Sequence, residues 1–268
     1  MTSPQLHLHD HPVSSYAQKV RILLREKGLP FTKEVPSGFG GGVSNTSFQK
    51  VSPRHQVPAL VDGEVTIFDS KIIMQYIDEK YPGDKPLMPR DPAARAKARM
   101  IEEVCDTLYE AINWGMGEVL LFGRVEDEQV KAGMREKAKS QTDEVLSWLA
   151  GQLGEARFFD GNDFGYADVC VAPYLNRSVV YGLGPAEGSK LKQWLARVAE
   201  RESVKETFAE MAKGVAAMRE MGRGMFAKGS GRTREYRDHR LDWMIRSGGL
   251  QVVLDGLKDD TIRLSSWP

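Results

Sequence analysis

The chain has 268 residues, 41% of them hydrophobic, and its 37 basic side chains balance 37 acidic ones. That length is more than one small core needs and predicts two domains. The neutral balance gives no global electrostatic reason for nucleic acid or an acidic membrane surface as partner. Two cysteines, Cys105 and Cys170, fit a reducing compartment without a disulfide framework or a zinc cluster. The N-terminus lacks the charged and apolar stretches of a signal peptide, and no run of about 18 apolar residues predicts a membrane span. The expectation is a soluble, cytoplasmic protein.

Leu6 and Leu8 alternate with polar residues and open the chain as a strand. His7, His9 and His11 share that alternation, which would put all three on one face. The only nearby carboxylate, Asp10, would face the other way, so no metal site is predicted. From Ser14 to Gly28 the spacing of Val20, Leu23, Leu24 and Lys27 suits a helix, and Gly28-Leu29-Pro30 stops it. Residues 36–47 are too rich in glycine and serine for regular structure and predict a loop. Two apolar runs, 58–61 and 64–68, flank Asp62-Gly63 and predict a hairpin, since both turn positions tolerate positive φ. Asp69 or Ser70 then caps a helix carrying Ile72, Ile73, Tyr76 and Ile77, ending at Tyr81-Pro82-Gly83. Strand, helix, loop, hairpin and helix make a compact α/β unit of about 80 residues.

Four prolines in residues 82–92 predict a linker, and the chain beyond reads as helical. Residues 93–115, 126–151 and 191–221 each carry apolar positions at spacings of three and four. Between the last two, Gly165 is the expected N-cap of a buried helix, with Asp168 at its third position and Phe164 stapled on Val169. The domain reading is 1–82, a linker at 83–92, a helical part at 93–222 and an extension at 223–268. That extension holds nine Lys or Arg against six Asp or Glu. Trp243, Met244 and Trp267 favour its docking on the body, while Arg232–Arg246, with alternating charge, reads most simply as a solvated helix face, the alternative being a substrate-covering or dimer-contacting tail.

Three segments, SSYAQKVRILLREKGLPF, HQVPALVDGEVTIFDSKIIMQYIDEKYP and FFDGNDFGYADVCVAPYL, together resemble the cytosolic glutathione transferase family. The likeness spans roughly residues 5–221. It implies a thioredoxin-like N-terminal domain, an all-α C-terminal domain and a homodimer. The SSY opening is most similar to the serine-type classes, zeta and tau, which makes Ser14 the residue that contacts the sulfur of glutathione, the co-substrate. The resemblance also implies a cis peptide bond before Pro58. Asp69-Ser70 stands where the family often has Glu-Ser.

The chemistry fits those residue types. A thiol of ordinary pKa, about 8.5, is mostly protonated near neutrality, and the thiolate is the nucleophile. Ser14, where the chain enters a helix, can donate its hydroxyl to sulfur while the first helical amides add positive potential; read alone, without the other motifs, it is more simply a plain helix cap. Ser15 and Tyr16 are reserves for that role. Val57 and Pro58 suit an edge that pairs with a peptide-like ligand. Asp69 can pair with the α-amino group of the γ-glutamyl moiety, Ser70 can take its carboxylate, and Gln56, near His55 or Arg54, can meet the glycine end. Tyr109, Trp114, Met116 and Phe122 are core or the lining of an apolar pocket for an electrophile. The expected reaction is thioether formation with a small hydrophobic electrophile. An isomerase, dehalogenase or ether-cleaving lyase would use the same thiolate, and a non-catalytic binding module would keep the same fold.

Overall fold

The computed structural model describes residues 6–37, 46–83 and 86–264. Strand β1, Leu6–His9, pairs in parallel with β2, Phe31–Glu34, and antiparallel with β3, Ala59–Asp62. Strand β4, Val65–Phe68, completes the hairpin, and the sheet order is β2-β1-β3-β4. The turn is Asp62-Gly63 as predicted, with Gly63 at φ +62°. Helix α1, Ser15–Glu26, links β1 to β2, helix α2, Thr46–Val51, precedes β3, and helix α3, Ser70–Lys80, follows β4. The predicted loop at 36–47 falls mostly outside the described residues.

Helix α1 carries more than its apolar spacing predicts. It is covered by α3 on one side and by two helices of the second domain, α7 (Tyr166–Val180) and α9 (Glu202–Met221), so Val20, Leu23 and Leu24 are fully buried. Each such side chain contributes about 1.5–3 kcal/mol. Lys19 and Arg21 are buried with them and are tolerated only as pairs. Lys19 Nζ lies 2.7 Å from Asp106 and 3.2 Å from Glu102, and Arg21 Nη1 lies 3.1 Å from Asp10 and 2.9 Å from Glu210.

The helical domain differs from the sequence reading in two places. The expected single helix at 93–115 is α4, Pro92–Val104, then a π-helical turn, Cys105–Tyr109, then α5, Glu110–Leu120. The wider turn inserts Asp106 where its carboxylate meets both Lys19 and the Tyr174 hydroxyl, a tertiary demand that apolar spacing cannot reveal. The expected helix at 191–221 is two, α8 (Lys190–Ala199) and α9, broken at Arg201. There the backbone turns extended, and the Arg201 guanidinium pairs with Glu26 at 2.6 Å and stacks over Phe164. Helix α6, Glu128–Leu153, matches its predicted span.

Gly165 caps α7, and Asp168 reaches back to its amide at 3.0 Å while also accepting from Phe159 N and Trp194 Nε1. The proline-rich segment is anchored to the first domain, with the Leu87 and Met88 amides donating to Asp78 at 2.9 and 3.0 Å.

The extension folds onto the body. Strands β5 (Arg234–Tyr236) and β6 (Ile262–Leu264) pair in parallel around helices α10 (Asp238–Arg246) and α11 (Leu250–Lys258). Tyr236, Trp243 and Met244 are 1%, 5% and 0% exposed. Trp243 lies so close to α5 that a Cβ on Gly115 would fall 2.0 Å from its ring, so only glycine fits there.

The solvated-face reading of Arg232–Arg246 is therefore corrected. Arg240 is buried against Glu110 of α5, and Arg234 pairs with Glu118 of the same helix. Partners more than a hundred residues away turn an apparent surface pattern into an interface.

Candidate functional site

The N-terminus of α1, the start of β3 and the N-terminus of α3 meet at one edge of the sheet. A cavity of about 220 Å³ there is lined by Gln56, Val57, Pro58, Asp69 and Ser70, all five predicted ligand-binding positions. The Val57–Pro58 bond is cis. Neither backbone group of Val57 is hydrogen-bonded among the described residues, which leaves both to an extended ligand. Asp69, at φ +76°, caps α3 by accepting from Lys71 N at 2.9 Å, and Ser70 is buried as the first helical residue. Lys71, Arg54, Arg237 and His239 share the rim with Asp106 and Asp238.

A second cavity, about 320 Å³, adjoins the first through Tyr16, Gln56, Val57 and Arg237, which line both. Ser14 is in its wall. As N-cap of α1, its Oγ accepts from Ala17 N at 3.3 Å, so the hydroxyl proton is free to be donated elsewhere. The two reserves differ from it. Tyr16 gives its proton to the Asp106 carbonyl at 2.6 Å, and burial holds its phenol well above the ordinary range. Ser15 is only 2% exposed.

Of the four residues considered for an electrophile pocket, Trp114 and Phe122 line the second cavity, whereas Tyr109 and Met116 are buried in the core. Periodicity marks all four as apolar but does not say which face opens on the cavity.

The extension supplies what the sequence reading missed. Arg237 borders both cavities, its guanidinium 5.0 Å over the Tyr16 ring. Glu235 accepts from the Gln56 side-chain amide at 2.6 Å, so the residue expected at the glycine end of a tripeptide is already tied to the tail. Arg234 stacks on Trp114 and Phe122 at 4.5 and 4.6 Å. Glu110 is buried. Burial alone would raise its pKa, but the Arg240 charge and hydrogen bonds from His239 and Arg240 outweigh it and hold the carboxyl below the ordinary range.

His11, also in the second cavity, lies beyond the end of β1. Burial first, then the charges of Arg21, Arg177 and Arg234, lower its pKa to about 4. It accepts from Val13 N through Nδ1 at 3.3 Å, as a neutral imidazole can. His7 and His9 share a face of β1 as expected. Glu34 from β2 approaches them at 3.6 and 3.2 Å, a carboxylate that only sheet pairing brings into range. Both cysteines are free and buried.

Residues 8–85 match the family model of the glutathione S-transferase N-terminal domain, and residues 127–197 match that of the C-terminal domain. Glutathione S-transferase U28 of Arabidopsis thaliana is 31% identical over 212 residues, covering 76% of this chain and 88% of that protein. A stringent starvation protein A homolog of Pasteurella multocida is 32% identical over 199 residues, 74% of this chain and 87% of that one. Among solved structures, a glutathione S-transferase from Methylobacterium radiotolerans, complexed with glutathione sulfonate, is similar at TM-score 0.61 and 28% identity, over 76% of this chain and 94% of that one. The domain matches end before the extension, whose arginines line the second cavity and whose Arg237 also borders the first. With both domain models matched in order on a four-stranded sheet followed by helices, the chain belongs to the glutathione S-transferase family.

Proposed function

We propose that the protein is a serine-type glutathione transferase in which Ser14 donates its hydroxyl to the glutathione thiolate. The observation that carries this reading is the position of Ser14. Its oxygen already serves as acceptor for the α1 cap, its proton is uncommitted, and it faces a cavity that adjoins the one lined by Gln56, Val57, Pro58, Asp69 and Ser70. In this reading residues 1–82 hold the tripeptide and residues 93–222, with the extension, hold the electrophile. Asp69 pairs with the γ-glutamyl amino group, Ser70 and the first amides of α3 take its carboxylate, and Val57 pairs with the peptide backbone. The bound tripeptide places the sulfur for attack, so proximity and anion stabilisation supply the acceleration. As the resemblance implies, the protein acts in the cytoplasm as a homodimer. Isomerase, dehalogenase and lyase chemistry would draw on the same thiolate.

The test is the ultraviolet absorbance of the glutathione thiolate, titrated with pH on wild type and on Ser14→Ala. A hydrogen bond to a charged acceptor contributes about 1.5–3 kcal/mol, so the variant should raise the bound thiol pKa by about 1–2 units. Conjugation should fall about 10- to 150-fold. A wild-type rate in Ser14→Ala would remove the assignment. One observation favours a second reading, a binding module without turnover: Glu235 occupies the Gln56 amide at the tripeptide edge. Glutathione affinity with an unshifted thiol and no conjugation across an electrophile panel would select it.

A further inference from the structure

The second cavity is unusually cationic for a pocket with so much apolar wall. Six guanidinium groups line it, from Arg177, Arg232, Arg234, Arg237, Arg240 and Arg263, against the carboxylates of Glu110 and Glu235. Their pairing is uneven. Arg240 is matched by Glu110 at 2.6 Å, and Arg234 by Glu118 at 2.5 Å, behind the wall. Glu235 is spread over Arg237, Arg240 and Arg263 at 3.6–3.8 Å, too far for close hydrogen-bonded pairs.

Arg177 is the sharpest case. It is 8% exposed, yet its acceptors are neutral: Tyr181 Oη at 3.1 Å from Nε and the Val13 carbonyl at 3.4 Å from Nη1. Among the described residues no carboxylate pairs with it, and Nη2 has no acceptor. Burying a guanidinium that way is costly unless an anion completes it. Arg237 adds to the imbalance, since its Nε is buried without a hydrogen-bond partner. His11, beside these cations, contributes no charge at neutral pH. The same cavity is also lined by Trp114, Phe122, Phe226, Met218, Met221 and Met225, with Arg234 over the three aromatic rings, an apolar wall that suits a ring-sized body and adapts to its outline.

Resting on the transferase reading above, we propose that the electrophile is a small aromatic or unsaturated carboxylic acid whose carboxylate is held by Arg177. A planar guanidinium fork matches a planar carboxylate in two hydrogen bonds. Anchored on the carbonyl of Val13, next to Ser14, Arg177 sets the distance between the acid group and the sulfur. Arg237, on the wall between the two cavities, faces the charge that the attacking sulfur and the acid share. With a 4-chloro-3-nitrobenzoate probe, the glutathione sulfur forms the new C–S bond and chloride departs with the C–Cl electron pair. The thiol proton goes to water.

Binding and turnover are measured separately on the full chain, so the two proposals fail in different ways. The first readout is calorimetric affinity for 3-nitrobenzoate against 3-nitrobenzamide without glutathione. We expect the acid to bind at least tenfold tighter, and Arg177→Gln to abolish that preference while leaving the amide unchanged. The second is kcat/KM for 4-chloro-3-nitrobenzoate against the corresponding benzamide, each divided by its uncatalysed rate with glutathione. There the acid should again lead by tenfold or more. If Arg177→Gln does not fold, Arg177→Met takes its place, and the exposed Arg232→Gln is the control that should keep the acid preference. Loss of acid preference in the Arg177 variant supports the proposal, and its retention there overturns it. Equal affinity for acid and amide in wild type also overturns it, whatever the turnover. Preferential binding of the acid with no conjugation of either probe would leave the anion site standing and remove the transferase reading.

Discussion

Replacing Glu110 by glutamine should open the extension while the rest of the molecule stays folded. Glu110 and Arg240 are 2% and 8% exposed, and the guanidinium meets both carboxylate oxygens, with Nη2 at 2.6 Å and Nε at 3.1 and 3.2 Å. His239 adds a fourth contact at 2.9 Å. Removing one partner of a buried pair costs about 3–5 kcal/mol, because the other charge stays buried without compensation. Burial of Trp243 and Met244 contributes roughly 2–3 kcal/mol each to docking, so the loss is of the same order as what holds α10 in place. Hydrogen exchange of the 238–246 amides should accelerate by about 10²- to 4 × 10³-fold, since each 1.4 kcal/mol is a factor of ten. Protection in α1 and β1 should change far less. A Glu110→Met/Arg240→Leu double variant, which removes both charges, should recover most of the protection. The effect also has a pH signature. Glu110 has a folded-state pKa below its unfolded value of 4.5, so its contribution is present above that value and is lost as pH falls below it. Unchanged α10 protection in Glu110→Gln at neutral pH would mean that the pair does not hold the extension, and the reasoning would fail.

Gly115→Ala should displace Trp243, because the new Cβ would lie 2.0–2.8 Å from three ring atoms. The expected readout is a red-shifted tryptophan emission and a loss of about 1–3 kcal/mol in denaturant unfolding. His11 predicts weakening on the acid side. Its folded-state pKa of about 4 lies below the unfolded 6.5, so the unfolded chain binds the proton first. Its contribution is intact above pH 6.5 and is lost as pH falls toward 4, by at most about 3 kcal/mol. His11→Gln should flatten that part of the stability profile, and an unaltered profile would show that the imidazole titrates normally.

Local signals were legible in the sequence wherever a few neighbouring residues decide the backbone. Asp62-Gly63 makes its turn, Asp69 caps α3, and Ser14 caps α1, because each interaction closes within a few positions. The first-domain architecture and the five cavity-lining residues from Gln56 to Ser70 follow from such signals together with the family resemblance. What escaped depends on pairing across long separations. The π-helical turn at Cys105–Tyr109 forms where Asp106 meets Lys19 and Tyr174, and Glu34 reaches His7 and His9 only through the β1–β2 register. Above all, Arg234, Arg237 and Arg240 sit in a segment whose alternating charge looks solvated. Their partners, Glu110, Glu118 and the Tyr16 ring, come from helices distant in sequence. A charge pattern along one helix says how that helix could meet water. Only the fold decides that these guanidinium groups meet a cavity instead, because desolvation and pairing are properties of the whole packed neighbourhood rather than of the segment that carries the charge.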